Sequence, residues 1–448
     1  MRSHDLGAAV RALACAAALC AFAPAALARL TLMHGFVDYT SALLWVQAEQ
    51  DGPIAVTWRA RDGAERRITA EPRAADDRTV TIRLTDLVPG TEVPYSVAGD
   101  GERRDGVVRT QALWRKAAEA PPITIAFGSC FYLADPVYGD PTFGGGAYTV
   151  FDAIATKRPD VMVWMGDNLY FERVDELDTG AMAARYRRQR SFAPLQALLT
   201  ATSHVAIWDD HDYGPNDADM SYGLKGQSLA LFQRYWANPS YGLPEAPGVF
   251  GRVRIGDVDL FLLDDRWYRT ANRMQDGPDK TMFGATQLTW LRNALVYSHA
   301  PVKIVVNGSQ LWNRATGSSI EGWSRYAHEQ AAFAQWLTAQ RIEGVLFVTG
   351  DRHWGELLRI QRPGAYPLYE LTTSPLAARA FEPGAAERSN PDVVPDTIFT
   401  RRQFGLIRVT GPGDDRHIAL ELYDESGNLV WRHEVAAKDL RYPRRTAR

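Results

Sequence analysis

Val161-Met-Val-Trp-Met-Gly-Asp-Asn-Leu-Tyr170 decides how this chain is read. Five consecutive apolar residues suit a strand buried on both faces, as inside a parallel sheet. The glycine then lets the backbone turn, so that Asp167 projects from the strand end. Four other apolar runs stop in the same way. Residues 123–127 lead into Gly128-Ser-Cys130, and 205–208 into Asp209-Asp-His-Asp212. Residues 302–306 lead into Asn307-Gly-Ser-Gln310, and 345–348 into Gly350-Asp-Arg-His353. Sites in α/β sheets form at the carboxyl ends of strands, where loops converge. Five such ends at one sheet edge would build one pocket.

Working outward, residues 258–263 and 368–371 add further apolar strands. Helical periodicity falls at 148–157, 181–200, 227–235, 285–297 and 327–340. Strands alternating with helices predict an α/β domain over 120–440. Residues 404–409, 417–422 and 430–435 read as closing strands, with a turn at Ser426-Gly-Asn428. Upstream, residues 42–48, 54–59 and 79–84 read as short strands broken by Asp-Gly and Pro-Gly turns. Leu87-Val-Pro-Gly-Thr-Glu-Val-Pro-Tyr-Ser-Val97 resembles the corner of a fibronectin-type-III-like sandwich, so 29–115 is expected to be a small all-β domain. No 20–50-residue repeat is present.

Residues 1–28 have the signal-peptide pattern: Arg2 and Arg11, an apolar segment from Ala12 to Phe22, then Ala26-Leu-Ala28. The expected location is periplasmic or secreted. The net charge is −3; removing Arg2, Arg11 and Asp5 with the leader takes away a net +1 and leaves −4. A mildly acidic chain has no global attraction for nucleic acid or anionic lipid. The longest apolar runs are too short to span a bilayer, so no stable membrane insertion is expected. A monomer acting on small substrates is expected.

Of three cysteines, Cys15 and Cys20 fall within the leader, so Cys130 is left single. A single thiol closes no intramolecular disulfide, and an exported protein has little use for a free reactive one. A metal-bound thiolate is the alternative. Asp167 has two oxygens and can bridge two cations, although an Asx turn at a strand end reads the same way. Tyr170 offers a hard phenolate donor suited to a trivalent metal. Asp209-Asp-His-Asp212 would be strongly self-repelling in a plain core, which cations would relieve. His211, oriented by neighbouring Asp212, is then a proton donor. Asp351 and His353 stand two apart after a strand and face the same side. Asn307 is an amide ligand or a turn residue. Arg266, in Leu263-Asp-Asp-Arg266, suits oxyanion recognition or a structural Asp–Arg pair.

In this order, Phe127-Gly-Ser-Cys130, Gly166-Asp-Asn-Leu-Tyr170, Trp208-Asp-Asp-His-Asp212, Leu263-Asp-Asp-Arg266 and Thr349-Gly-Asp-Arg-His353 resemble the alkaline phosphatase D family. That family sits within the calcineurin-like metallophosphoesterase superfamily. The resemblance implies a four-layer αββα sandwich preceded by the β-sandwich, with a bimetallic site at the strand ends. It implies Asp167 as the bridge and Cys130, Tyr170 and His353 as ligands of iron(III). Asp210 takes the place of the superfamily's metal-binding Asn, and His211 that of its phosphate-contacting histidine; Asp351 and Asn307 are further candidate ligands. The second metal implied is calcium, and an oxygen-rich site also suits magnesium or manganese, with zinc open. The expected reaction is hydrolysis of phosphate mono- or diesters by a metal-activated hydroxide, aided by His211 and Arg266. Two other readings remain at this stage. One is a metal-dependent hydrolase of carbonyl esters or lactones. The other is a degenerate secreted binding protein presenting exposed aromatics such as Trp312 and Trp323.

Overall fold

The computed structural model describes residues 30–315 and 321–443; the leader 1–28 lies outside them. The chain opens with seven strands: β1 (Leu30–Val37), β2 (Ala42–Ala48), β3 (Ile54–Arg59), β4 (Glu65–Ala70), β5 (Thr79–Leu84), β6 (Glu92–Gly99) and β7 (Glu102–Arg109). They form two antiparallel sheets, β1-β2-β5 and β4-β3-β6-β7. Their alternation explains the pairing. Val56 and Trp58 point into a cluster with Leu32, Leu44, Val46 and Val97, while Arg59 and Arg67 face water. Tyr95 is buried, and its hydroxyl meets His34 Nε2 at 2.8 Å.

Twelve strands follow: β8 (Ile123–Gly128), β9 (Val161–Met165), β10 (Ser203–Ile207), β11 (Gly251–Ile255), β12 (Val258–Leu262), β13 (Val302–Val306), β14 (Val345–Thr349), β15 (Glu356–Ile360), β16 (Leu368–Thr372), β17 (Gln403–Thr410), β18 (His417–Asp424) and β19 (Leu429–Ala436). They make two six-stranded mixed sheets, in the orders β10-β9-β8-β17-β18-β19 and β11-β12-β13-β14-β16-β15. Strands β8, β9 and β10 run parallel, as do β12, β13, β14 and β16. Antiparallel strands flank the parallel core of the second sheet on both sides and that of the first on one. Val163 and Ile407 of one sheet and Val305 and Leu371 of the other belong to one continuous apolar core.

Helices cover this core through apolar positions three and four apart. Gly284–Tyr297 buries Leu288, Leu291 and Leu295, and Ala327–Ala339 buries Phe333 and Leu337. Each such leucine contributes about 1.5–3 kcal/mol of burial. The helical stretch expected over 181–200 is in fact two helices, Thr179–Arg190 and Gln196–Ala201. Asp178 caps the first by accepting N–H bonds from Gly180 and Ala181. Pro194 removes a backbone donor and ends the run.

Candidate metal centre

The expected pocket forms at the ends of two sheets, not at one sheet edge. Cys130, Asp167 and Asp210 follow β8, β9 and β10 of the first sheet; Asp265, Asn307 and Asp351 follow β12, β13 and β14 of the second. The loops are stitched by backbone bonds: Phe131 N–H to Asp167 O at 2.8 Å, Phe171 N–H to His211 O at 3.0 Å, and Gly350 N–H to Gly308 O at 2.8 Å. Two glycines allow this closeness. A Cβ on Gly166, whose φ is +85°, would stand 2.5 Å from Asp209 N, and one on Gly350 would meet Ser129 Oγ at 2.2 Å.

Four side-chain-bearing residues at this junction hold left-handed backbone: Cys130 (φ 60°), Asp167 (48°), Asp351 (65°) and His353 (59°). Such angles cost energy in residues with a Cβ and gather where function over-determines the backbone. The side chains converge accordingly. Cys130 Sγ lies 3.6 Å from Asp167 Oδ2, and the Tyr170 hydroxyl donates to the same oxygen at 3.0 Å. That hydroxyl is also 3.2 Å from His353 Nε2. His353 Nδ1 faces the carbonyl of Arg379, which can only accept, so Nδ1 carries the hydrogen and Nε2 keeps its lone pair toward Tyr170. Burial pulls the His353 pKa down to about 4, which keeps the ring neutral. Donor atoms of Cys130, Asp167 and His353 lie within 4.8 Å of one another, and so do those of Asp167, Asp210 and His211. Asp167 belongs to both groups. His211 lies beside Tyr170, with ring centroids 4.2 Å apart, and its backbone N–H donates to Asp167 Oδ1 at 3.3 Å.

The electrostatics point the same way. Burial, then Asp210 and other nearby carboxylates, push Asp167 far above the usual carboxylate range. Burial and Asp167 raise the Cys130 thiol and the Tyr170 phenol. Burial also works to raise Asp210, but His211 and Arg266 outweigh it and hold Asp210 low. Oxygens of Asp209 (Oδ2), Asp265 (Oδ1), Asn307 (Oδ1) and Asp351 (Oδ2) are buried without a hydrogen-bond partner. Buried polar atoms are normally satisfied, so this set fits cations that would take up their lone pairs. Thiol and imidazole donors of Cys130 and His353 group with Asp167, and the carboxylate of Asp210 and imidazole of His211 group with it again, so two chemically distinct donor sets share this carboxylate.

Arg266 differs from the catalytic expectation. Its guanidinium is fully buried and already engaged. Nε donates to Asp209 Oδ1 at 2.6 Å, Nη2 reaches Ser309 Oγ at 3.2 Å and pairs with Glu321, and Asp265 and Asp210 stand at 3.8 and 3.9 Å. The structural Asp–Arg alternative describes this geometry. Asp212 is likewise committed: its carboxylate accepts from the N–H groups of Asp209 (2.7 Å), Asn168 (3.2 Å) and Asp167 (3.3 Å), and from Asn168 Nδ2 (2.6 Å). Asn307 donates to Asp265 Oδ2 and Ser309 O at 2.9 and 2.8 Å, which orients its free Oδ1. Glu321 was not anticipated, since it closes no apolar run; Ser309 lies in the strand end Asn307-Gly-Ser-Gln310. Trp312 and Trp323 are not exposed aromatics; both are buried, in contact with Phe347, Phe283 and Phe333.

The sequence model of the PhoD-like phosphatases matches residues 137–412, more than half of the chain. The curated proteins contain no match. Among solved structures, PhoD superposes with a TM-score of 0.72 at 18% identity, covering 90% of this chain and 91% of that one. The purple acid phosphatase PPD1 from yellow lupin (Lupinus luteus) seeds superposes with a TM-score of 0.65 at 12% identity, covering 92% of this chain and 75% of that one. At these identities the likeness is one of fold: a mixed α/β architecture of several sheets. No helix among the described residues is long and apolar enough to cross a membrane. With the family match, the two donor groups sharing Asp167 indicate a metal cofactor. The chain belongs to the PhoD-like phosphatase family and is a phosphoric-ester hydrolase.

Proposed function

We propose that this chain is a periplasmic or secreted monomeric phosphoesterase that hydrolyses phosphate mono- or diesters at a two-cation centre. One observation carries the reading: Asp167 Oδ2 meets Cys130 and Tyr170, Oδ1 accepts from the backbone N–H of His211, and a single carboxylate belongs to both donor groups. Cys130, Tyr170 and His353 would hold iron(III) with Asp167; Asp210, Asp351 and Asn307 would hold calcium from the other side. Residues 29–115 form the β-sandwich domain of this reading and 120–440 the αββα catalytic domain. The export reading rests on the sequence pattern of 1–28.

When bound, the cations neutralise phosphoryl oxygens and make water acidic enough to attack phosphorus near neutral pH. The chain's residues do the rest. His211 holds a proton on its imidazole and delivers it to the leaving oxygen. Tyr170, lying against that ring, limits where it can swing. Asp212 acts as a positioning residue, since its carboxylate gathers the backbone N–H groups of Asp167, Asn168 and Asp209. Arg266 positions Asp209 and does not reach substrate.

The test is Asp167→Asn in the metal-supplemented chain, with metal content measured alongside turnover. The expected result is loss of bound metal and a fall in phosphatase turnover of at least about a hundredfold, the scale for removing one preorganised electrostatic group. Turnover within a few-fold of the parent at full metal content would refute the assignment. A visible charge-transfer band is expected from thiolate or phenolate on iron(III); a colourless, iron-free and fully active enzyme would remove Cys130 and Tyr170 from the iron position.

A further inference from the structure

The rim of the centre carries a cation with no assigned partner. Arg379 is exposed, and its carbonyl fixes His353 through Nδ1. Its guanidinium carbon lies 5.6 Å from the Phe143 ring centroid and 5.4 Å from that of Phe381. Those two rings are also the walls of the candidate iron site. Phe381 stacks on His353 with centroids 4.6 Å apart and planes 14° apart, and Phe143 lies 5.4 Å from His353 and 5.6 Å from Tyr170. Cation–π contact on two faces holds the guanidinium one ring away from the metal ligands.

The other arginines around the centre are taken. Arg266 pairs with Asp209 and Glu321, Arg352 with Glu387, and Arg185 with Asp175 at 2.6 Å. Among the described residues, no carboxylate lies within ion-pair distance of Arg379; exposed Asp140 feels its charge only from farther off. Its five N–H donors form a planar fork suited to an oxyanion. A charge with no carboxylate in contact, beside a carboxylate-rich site, repels cationic substrates and attracts a second negative group on the substrate.

We infer that Arg379, held between Phe143 and Phe381, is a specificity-determining residue that selects phosphate esters whose organic portion carries a second anionic group. The inference rests on the phosphoesterase reading and names the substrate class of the same site. Phosphate engages the centre through its own oxygens; the organic portion leaves over the Phe143–Phe381 rim, where its anion meets the guanidinium. The loop containing Phe143 therefore takes part in recognition.

The experiment uses the metal-loaded full-length chain and two non-hydrolysable probes, phenylphosphonate and 4-carboxyphenylphosphonate. They differ only in a para carboxylate, too distant from the phosphonate to chelate the same cation with it. Calorimetric titration should show the carboxylated probe binding the parent about fivefold more tightly, the scale of a partly exposed charge-assisted contact. Raising the salt concentration should shrink that preference. Arg379→Gln should abolish it, and Arg379→Lys should retain part of it. With the matching substrates, phenyl phosphate and 4-carboxyphenyl phosphate, Arg379→Gln should lower the kcat/KM ratio by the same factor, chiefly through KM. A parent that shows no preference, or an Arg379→Gln variant that keeps it, overturns the assignment. A metal-loaded parent that hydrolyses neither ester overturns the phosphoesterase reading instead, so the two failures are distinguishable.

Discussion

Replacing Arg266 with Met separates a supporting role from a catalytic one. The guanidinium has no solvent exposure and serves Asp209 and Glu321 directly, with Ser309 beside it. Asp209 is itself 1% exposed. Methionine fills much of the same volume but leaves two acids without their counterion. Breaking a buried pair from one side costs about 3–5 kcal/mol. That is a large share of a typical folding free energy of about 5–15 kcal/mol. At roughly 2 °C per kcal/mol for a domain of this size, Tm should fall by about 6–10 °C. Burial already raises the Asp209 pKa against the pull of Arg266, so without the guanidinium its folded pKa would rise further and a proton would relieve part of the penalty. A raised folded pKa gives stability that is present at low pH and lost as pH rises, so the deficit should widen from acidic toward neutral pH. Arg266→Lys should recover only part, because an ammonium is a point charge that cannot fork between two acids. The assay is differential scanning calorimetry across pH, with turnover measured on the same samples. If Arg266→Met kept Tm within about 2 °C while turnover collapsed, the guanidinium would be acting on substrate and the supporting role would be wrong.

Three further outcomes are expected. Burial holds the pKa of His34 down to about 4 and that of His204 down to about 3, so both are neutral when folded and take up protons on unfolding below pH 6.5. Stability should therefore drop as pH falls from about 6.5 toward 4, by up to about 3 kcal/mol for each histidine; denaturant midpoints for His204→Gln should show a flatter pH profile, and an unchanged slope would remove His204 from the explanation. Gly166→Ala should destabilise by several kcal/mol and lower metal content, since its Cβ would stand 2.5 Å from Asp209 N at a φ of +85°; a parent-like Tm would contradict that contact. Tyr170→Phe removes the hydroxyl bonded to Asp167 and His353, so the visible band of the iron-loaded chain should shift or vanish, and an unaltered spectrum would leave Cys130 as the sole chromophoric donor.

Much of this arrangement was legible because burial writes itself plainly in some segments. Val161–Met165 is apolar throughout and buried throughout, so its end, and Asp167 beyond it, could be located without coordinates. Val302–Val306 and Val345–Thr349 are also buried throughout, and apolar apart from Lys303 and Thr349. Two of the edge strands show why others were not legible. Gly251–Ile255 alternates with Arg252 and Arg254, which serve buried Asp259, and Glu65–Ala70 is almost wholly polar. The partition of the motifs between two sheets was also hidden, because strand order is a long-range property that local periodicity does not encode. For Arg266 and Asp212 the sequence indicated a strand-end position but not the groups that each engages. Residue type and spacing show that a charge is present but not which neighbour it answers, and Glu321, the acid that engages Arg266, follows no apolar run in the sequence.

The left-handed backbone at Cys130, Asp167, Asp351 and His353 bears on how this centre could change over time. At such positions glycine, asparagine, aspartate and histidine are the side chains most readily accommodated, whereas valine, isoleucine or threonine would force the loop out of shape. Most routes to a new donor at these four sites therefore pass through a narrow alphabet, and several of its members are themselves ligands. An ancestor or a designer wishing to exchange one ion for another would find it easier to vary Tyr170 or Asp210, whose φ angles are not left-handed, than to rewrite the strained quartet.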